Sequence, residues 1–287
     1  MRRTVRLPHE PLDSREFEVA VKLLANSLSF GQEESVFHGS GLEYAQSRLY
    51  VAGDPVKAID WKVSARMGKL YLKEYQEPKQ LPLYLLLDTS ASMCVSSIPL
   101  SKYGWAVQIA TGIGLAAQAN MTPVGLLGCG DRELHIRPTL SRNQVLEWSH
   151  QLRHHDFLEQ TSLAHRLREL TPSLKRRTTV IVLSDLHDPG VFSALQVLAQ
   201  AHDVIVLHFQ DPAEQGFKGV GLFRGAEAES GQTFVGTGRQ TFIDSAEWKR
   251  ELTRFGIDTL HLPTDQPILG KLRHFLQRRG GGGNKVR

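Results

Sequence analysis

The stretch that decides the fold is LYLLLDTSASM, residues 83–93. Five apolar residues run directly into Asp88, and Ser90 and Ser92 follow at alternate positions. An uninterrupted apolar run of this length is typical of a strand that is buried on both faces, as in a parallel sheet. Ligands of an open α/β sheet bind beyond the carboxyl ends of its strands. We therefore expect Asp88, Ser90 and Ser92 to lie on the loop that leaves the sheet and to converge on one point.

One carboxylate and two hydroxyls form an all-oxygen donor set, which suits a hard cation such as Mg²⁺ rather than zinc. A second apolar run, at 178–185, again ends in a carboxylate, that of Asp185. In a parallel sheet both carboxylates project from the same edge, and they repel each other unless a cation or a proton separates them. The alternative is that Ser90 and Ser92 only cap a turn, while Asp88 accepts hydrogen bonds from backbone amides.

Composition limits the class of protein. The 287 residues can form one large core and a smaller appendage, and the formal net charge of +4 is too mild to predict a nucleic-acid partner. The two cysteines, Cys94 and Cys129, lack CxxC spacing, which argues against a zinc cluster or a disulfide framework. The sequence shows no apolar signal segment and no stretch long enough to span a membrane. We expect a cytoplasmic protein.

Hydrophobic spacing predicts alternating strands and helices, and such alternation requires a mostly parallel sheet. The more local predictions are a helix over 14–28, a loop over 30–41, a strand or hairpin arm over 69–75 and a glycine-rich hairpin over 216–238. Pro99 is expected in the first turn of the helix that follows Asp88. Gly112 and Gly114 are expected to let that helix pack closely on the sheet.

Several motifs, taken in chain order, resemble one bacterial family. They are Arg-x-Tyr-x-x-Gly-Asp at 48–54, Ile-Asp-Trp at 59–61, Ala-Arg at 65–66, Asp-x-Ser-x-Ser at 88–92, Asp-Pro-x-Glu at 211–214 and Glu-Ser-Gly at 229–231. The Asp-x-Ser-x-Ser pattern is similar to the first half of the metal-ion-dependent adhesion site of von Willebrand factor A domains. From Gly39 to about Gly238 the chain resembles the domain-of-unknown-function family fifty-eight, whose members are typically encoded beside MoxR-type AAA+ ATPases.

The resemblance implies a fold and a domain organisation. The expected fold is α/β, a von Willebrand factor A-like (Rossmann-like), mostly parallel sheet flanked by helices, with a small N-terminal helix and β-hairpin extension. The expected units are the N-terminal extension over 1–78, the von Willebrand factor A-like domain over 79–279 and a disordered basic tail over 280–287.

The resemblance also implies a metal site. The implied ligands of Mg²⁺, with Mn²⁺ or Ca²⁺ as alternatives, are Asp88, Ser90, Ser92, Thr161 and Asp185. In the resembled site the serines bind the ion directly, while the aspartates often act through water and leave a position for a carboxylate of a protein partner. Thr122 and Thr178 are alternatives to Thr161, which is favoured because it precedes an amphipathic helix.

The function implied by the resemblance is a non-enzymatic, metal-dependent protein-binding adaptor. It would work with a MoxR-type AAA+ ATPase, or with a client that supplies an acidic residue, in chaperone-like assembly or maturation of other proteins. The alternative is a Mg²⁺-dependent phosphohydrolase, because a strand-end aspartate can serve as a nucleophile. That chemistry wants a second acidic group where Ser90 stands, and no lysine or histidine is evidently placed as an activator. No small-molecule substrate is evident.

The N-terminal motif contains polar and aromatic residues that no single chemistry requires together. They are Arg48, Tyr50, Asp54, Asp60, Trp61 and Arg66. We favour a structural polar network for the four charged members over a surface that contacts a partner. Elsewhere, His208 is expected to be a hydrogen-bonded core histidine, and the cluster His154–Asp156 a solvated surface.

Overall fold

The computed structural model describes residues 15–29, 43–76, 81–131, 134–153, 160–215, 222–226, 233–237 and 245–280. The strands are β1 Glu43–Leu49, β2 Tyr71–Gln76, β3 Leu83–Leu87, β4 Val124–Gly128, β5 His135–Thr139, β6 Thr179–Ser184, β7 Asp203–Gln210, β8 Leu222–Ala226, β9 Thr233–Thr237 and β10 Asp258–Pro263. The helices are α1 Arg15–Ser29, α2 Trp61–Met67, α3 Ala91–Cys94, α4 Lys102–Ala119, α5 Arg142–Arg153, α6 Leu163–Ser173, α7 Val191–Ala199, α8 Ser245–Arg254 and α9 Ile268–Gly280. Short 3₁₀ turns lie at Val56–Ala58 and Pro212–Gln215.

A six-stranded sheet forms the centre of the molecule, in the order β10-β7-β6-β3-β4-β5. Every neighbouring pair is parallel except β4 and β5, which are antiparallel. Numbered by their place in the chain, these strands lie in the order 3-2-1-4-5-6 of a doubly wound, Rossmann-like sheet. The predicted von Willebrand factor A-like α/β fold is therefore confirmed. The strand order reverses between β3 and β6, so the ligand crevice of this topology lies at their carboxyl ends.

Burial on both faces of the sheet explains why the sequence of strand β3 is apolar without interruption. Leu83, Leu85 and Leu87 point into one core cluster, and Tyr84 and Leu86 point into the other. Helices cover both faces of the sheet, so no position of this strand meets water.

Helix α4 differs from its prediction in where it begins. Its first residue is Lys102, and Ser101 caps it by accepting a hydrogen bond from the Gly104 amide at 3.0 Å. The expectation that Pro99 lies in the first turn is wrong, because the Ser101 cap comes after Pro99 and starts the helix there.

The glycines of α4 face other helices. A Cβ atom on Gly112 would lie 2.5 Å from Cδ2 of Leu24 in α1, and one on Gly114 would lie 3.0 Å from Cζ2 of Trp148 in α5. The predicted close packing on the sheet is therefore wrong for both glycines. They allow α1 and α5 to approach α4 instead.

Two hairpins accompany the central sheet. Strands β1 and β2 pair antiparallel with a bulge between Tyr44 and Gln46, and β8 pairs with β9. The predicted helix over 14–28, the hairpin arm over 69–75 and the later hairpin are thus confirmed. The loop over 30–41, the His154–Asp156 cluster and residues 281–287 lie outside the described residues.

Helix α1 lies before the domain boundary predicted at residue 78, yet it packs against α4 and α9. Phe17, Val21, Leu24 and Leu28 all belong to the core cluster on that face of the sheet. The boundary itself stays a prediction. Within the part of the chain that the structure describes, no helix combines the length and apolar character needed to cross a membrane.

We expect Gly112→Ala to lower the free energy of unfolding by about 1–3 kcal/mol, because the new methyl group must displace the buried Leu24 side chain. The matched control is Gly270→Ala in α9, where a Cβ would meet no atom within 4 Å. That change should stabilise the protein by up to about 1 kcal/mol through helix propensity alone. Urea unfolding of both variants checks the pair, and equal effects would contradict the close contact between α1 and α4.

Candidate functional site

Asp88 and Asp185 follow the two strands at which the sheet order reverses. The Asp88 amide donates to the Leu183 carbonyl at 3.0 Å, so β3 and β6 stay paired to the point where the first carboxylate leaves the sheet. Asp88 is 1% exposed and Asp185 is 2% exposed. The structure thus brings both predicted carboxylates to one buried edge.

Asp88 has only neutral hydrogen-bond donors around it. Its Oδ1 accepts from the Ser90 amide at 3.1 Å, and its Oδ2 accepts from the Ser184 hydroxyl at 2.6 Å. Burial, and then the negative charge of Asp185, raise the pKa of Asp88 to about 7. Among the described residues, no cationic side chain donates to Asp88. The carboxylate therefore lacks a positive charge to balance it.

Ser90 and Ser92 turn their hydroxyl groups toward each other. The two Oγ atoms lie 3.0 Å apart. Ser90 precedes helix α3, but its side chain makes no capping hydrogen bond. The turn-cap alternative therefore applies to Asp88, which accepts from a backbone amide, and does not account for the hydroxyl of Ser90.

The loop that carries Thr161 is tied to the end of β4, the neighbour of β3. Ser162 donates from its amide to the Cys129 carbonyl at 3.1 Å and from its hydroxyl to the Gly130 carbonyl at 2.8 Å. Thr161 is half-buried there, at the same edge of the sheet as Asp88. The alternatives Thr122 and Thr178 precede β4 and β6, which places them at the opposite edge.

Lys102 is a member of the site that sequence reasoning missed. Its side chain is 1% exposed, and its Nζ donates to Asp185 Oδ2 at 2.8 Å and to Glu214 Oε1. Burial alone would lower the pKa of Lys102, but the charges of Asp185 and Glu214 outweigh burial and raise it. His187 Nδ1 lies 3.2 Å from the same Asp185 oxygen. The sequence did not reveal a lysine or histidine placed as an activator, yet the structure places both Lys102 and His187 on a strand-end aspartate.

Asp185 differs from Asp88 because it has these cationic neighbours. Burial would raise the pKa of Asp185, but the charge of Lys102 and the hydrogen bond from His187 hold it well below its usual value. For His187 burial acts in the opposite direction and would lower the pKa. The hydrogen bond and the charge of Asp185 outweigh burial and raise the pKa of His187 above its usual value. Asp185 Oδ1 is buried and, among the described residues, has no hydrogen-bond partner.

A third strand end completes the network. Asp211, directly after β7, accepts from the Ser96 hydroxyl at 3.0 Å, from the Ser97 amide at 2.9 Å and from the Ser97 hydroxyl at 2.5 Å. Its own amide donates to Glu214 Oε2 at 3.2 Å. The loop before Lys102 is thereby anchored to the end of β7. Asp88 and Asp185 were identified as carboxylates that directly follow an apolar strand. Asp211 follows β7 in the same way, so the sequence contained a signal for it.

The charges of the site leave room for a cation. Lys102 pairs with Asp185 and Glu214, and Asp88 lies beside Asp185 without a cation, so the four groups carry a formal charge of −2 when all three acids are ionised. Protonation of His187 would reduce it to −1. The described residues hold no group of three or more His, Cys, Asp or Glu side chains arranged for a metal, so an ion here would depend on hydroxyl ligands. The residues supply the oxygen donors that a hard divalent cation takes, while the Lys102 ammonium already holds Oδ2 of Asp185.

The N-terminal motif divides into two parts. Arg48 and Asp54 form two hydrogen bonds, of 2.7 and 2.8 Å, and the bond from Arg48 is the main reason that the pKa of Asp54 falls to about 2. Asp60 caps α2 through the Lys62 and Val63 amides, and the Tyr50 amide donates to the Leu70 carbonyl.

The other two residues of the motif lie outside this network. Trp61 and Arg66 are both exposed on helix α2. The favoured structural role therefore describes Arg48, Asp54 and Asp60, and it does not describe Arg66.

His208 lies behind the site, in the core as expected. Its Nδ1 is 2.9 Å from Nδ1 of His261, and its ring contacts Trp248 at a centroid distance of 4.2 Å. Burial lowers the pKa of His208 to about 3. His208 and His261 therefore form a neutral, hydrogen-bonded pair. This pair fills the face of the sheet between β7 and β10.

Comparison with known proteins adds the following. The family model described as "Protein of unknown function DUF58" matches residues 46–252. An uncharacterized protein of Mycobacterium tuberculosis is 25% identical over 295 residues, which cover 93% of this chain and 89% of that protein. An aerotolerance-related membrane protein from Bacteroides fragilis aligns with a TM-score of 0.46 and 14% identity over 70% of this chain and 98% of its own. The SpRpn10 VWA domain aligns with a TM-score of 0.39 and 14% identity over 72% of this chain and 100% of its own.

We expect Lys102→Met to lower the free energy of unfolding by about 3–5 kcal/mol, because it leaves Asp185 and Glu214 charged without their buried partner. Adding Asp185→Asn to that variant should recover part of the loss, as a double-mutant cycle in urea would show.

The control for Lys102 is an ion pair nearer the surface. Arg279→Met removes the contacts of 2.6 Å with Asp203 and 3.0 Å with Asp258, where the side chains are 20%, 30% and 45% exposed, and should cost only about 1–2 kcal/mol. Equal losses for the two single variants would contradict a buried charge network around Lys102.

Proposed function

Since the chain belongs to the family of proteins of unknown function DUF58, we propose that it is a non-enzymatic adaptor that binds protein partners through a divalent cation. The observation that carries this proposal is the uncompensated carboxylate of Asp88, buried beside Asp185 where the strand order reverses. A von Willebrand factor A-like fold supports a role in protein interaction, and the crevice at its switch point is where such a sheet binds ligands.

Each residue of the proposed site has a separate task. Asp88 and Asp185 supply negative charge, and Ser90, Ser92 and Thr161 supply neutral oxygens. When bound, Mg²⁺ supplies a position at which a carboxylate of the partner can coordinate. Mn²⁺ and Ca²⁺ have the same preference for oxygen ligands.

Lys102 positions Asp185 rather than binding the partner. Its ammonium holds Oδ2 and leaves Oδ1, which is buried and without a hydrogen-bond partner among the described residues, for an ion or its water. Glu214 holds the other side of the ammonium, so Lys102 cannot leave Asp185 without uncovering a second charge.

The partner side of the proposal comes from the family resemblance. We propose that the chain works with a MoxR-type AAA+ ATPase, or with a client that supplies an acidic residue, in chaperone-like assembly or maturation of other proteins. An acidic residue suits the site because a carboxylate is an anionic oxygen ligand that can replace one of the waters of a divalent ion.

We expect millimolar Mg²⁺ to raise the melting temperature by about 3 °C or more, since an ion that binds only the folded state stabilises it. Asp88→Ala and Ser90→Ala should remove this response. The control Ser193→Ala, at an exposed hydroxyl on α7, should keep it. Thermal unfolding with Mg²⁺ and with EDTA measures the effect. A full response in Asp88→Ala, or none in the natural chain, would count against the ion.

A Mg²⁺-dependent phosphohydrolase is the second candidate. The placement of Lys102 and His187 on Asp185 favours it, because both could stabilise a transferring phosphoryl group. Against it, Asp88 is only 1% exposed, both of its oxygens already accept hydrogen bonds, and Ser90 stands where a general acid is needed. We therefore rank it below the adaptor.

We expect no phosphatase activity from the purified chain. Release of p-nitrophenol from p-nitrophenyl phosphate at millimolar Mg²⁺ should be the same for the natural chain and for Asp88→Asn. Turnover that disappears in Asp88→Asn would establish the enzyme instead, since that change removes the strand-end carboxylate that the sequence indicates as the nucleophile.

A further inference from the structure

Helix α2 holds its largest apolar side chain in water. Trp61 is 63% exposed and Met67, at the other end of the helix, is 58% exposed. The helix is nevertheless well defined: Asp60 caps its start, and Gly68, in the left-handed conformation, ends it at φ 68°. Ser64 is its single buried residue, and its hydroxyl accepts from the Tyr71 amide at 2.8 Å. Leu70, shortly after the helix, is 46% exposed as well, and exposed apolar side chains that lie together mark interaction sites.

Helix geometry places charge beside the tryptophan. With about 100° between successive residues, Lys62 and Arg66 lie opposite the buried Ser64, and Trp61 and Met67 lie about 60° to either side of Ser64, so the apolar side chains flank the two cations. Lys69 and Leu70 follow in the exposed turn after the helix. We name this surface the α2 face and define it by its exposed residues, which are Trp61, Lys62, Arg66, Met67, Lys69 and Leu70.

The α2 face is strongly cationic. Residues 47–73 contain six basic and two acidic side chains, a formal charge of +4 that equals the net charge of the entire chain. Both acids are already engaged: Asp54 accepts two hydrogen bonds from Arg48, and Asp60 is buried as the cap of α2. Among the described residues, no carboxylate forms an ion pair with Lys62, Arg66 or Lys69. These cations are therefore available to pair with carboxylates of a partner.

The residue types favour a protein as that partner. Tryptophan, arginine and methionine are enriched at protein interfaces, and tryptophan and arginine often carry most of the binding energy. Surfaces that bind nucleic acid are more polar and more uniformly basic. Here large apolar side chains are as numerous as cations, with Trp61, Met67 and Leu70 beside Lys62, Arg66 and Lys69.

We propose that the α2 face is a docking surface for an acidic protein segment that carries apolar side chains. Trp61 and Met67 bury against the apolar side chains of that segment, and Lys62, Arg66 and Lys69 pair with its carboxylates. None of these residues contributes to the cation site, so the surface works without the ion and the inference does not depend on the proposed function.

Photo-crosslinking in the native host tests the proposal. The full chain carries p-benzoylphenylalanine in place of Trp61, or, as the control, in place of Val197, which is 54% exposed on α7. After irradiation, the adducts are purified under denaturing conditions and identified by mass spectrometry. We expect position 61 to capture an acidic protein about tenfold more than position 197 does.

The captured protein is then purified and titrated against the natural chain and its variants. Charge reversal by Lys62→Glu with Arg66→Glu should weaken binding about tenfold or more, and Lys62→Gln with Arg66→Gln should weaken it less. EDTA should leave the affinity unchanged, which separates this surface from the cation site. Far-UV circular dichroism verifies that each variant is folded.

Several outcomes would overturn the proposal. They are equal capture at positions 61 and 197, capture of a nucleic acid or a second copy of this chain, a cross-link within the chain itself, and binding that survives charge reversal. Loss of binding in EDTA would assign the partner to the cation site instead.

Discussion

Two negative charges buried side by side are the constraint on which this structure depends. Parallel pairing of β3 with β6 brings Asp88 and Asp185 to the same edge, where both are buried. The positive charge of Lys102 balances the negative charge of Asp185 but not that of Asp88. The two carboxyl groups therefore differ in pKa, and Asp88 keeps its proton to a higher pH than Asp185. A divalent ion would remove this inequality, which is why the electrostatics of the edge, more than its shape, support a cation.

The loops around this edge are joined to one another through side chains. Ser184 on β6 donates to Asp88 after β3, and Asp211 after β7 holds the serines that precede Lys102. Lys102 in turn joins the end of β6 to Glu214. Three strand ends therefore form one hydrogen-bonded unit. Hydrogen bonds in such a buried network strengthen one another, so the three loops are expected to be more rigid together than each would be alone.

The sequence predicted what depends on chain order and missed what depends on loop conformation. Asp88 and Asp185 could be assigned to one edge because buried apolar runs precede both, and a parallel sheet leaves no other choice. Lys102 could not, because lysine is almost never fully buried and its position depends on how the preceding loop folds. Gly112 is a second example. A glycine inside a helix indicated a close contact, but only the structure shows that the contact is with Leu24 of α1.

Helix α1 has a consequence for how the protein emerges from the ribosome. Its apolar residues cover α4, which is translated more than seventy residues later, after the hairpin and β3. Until then the nascent chain must carry a helix whose inner face has nothing to cover it. Helix α1 is therefore made before the helix that covers it, and burial of its apolar face is postponed until α4 has left the exit tunnel.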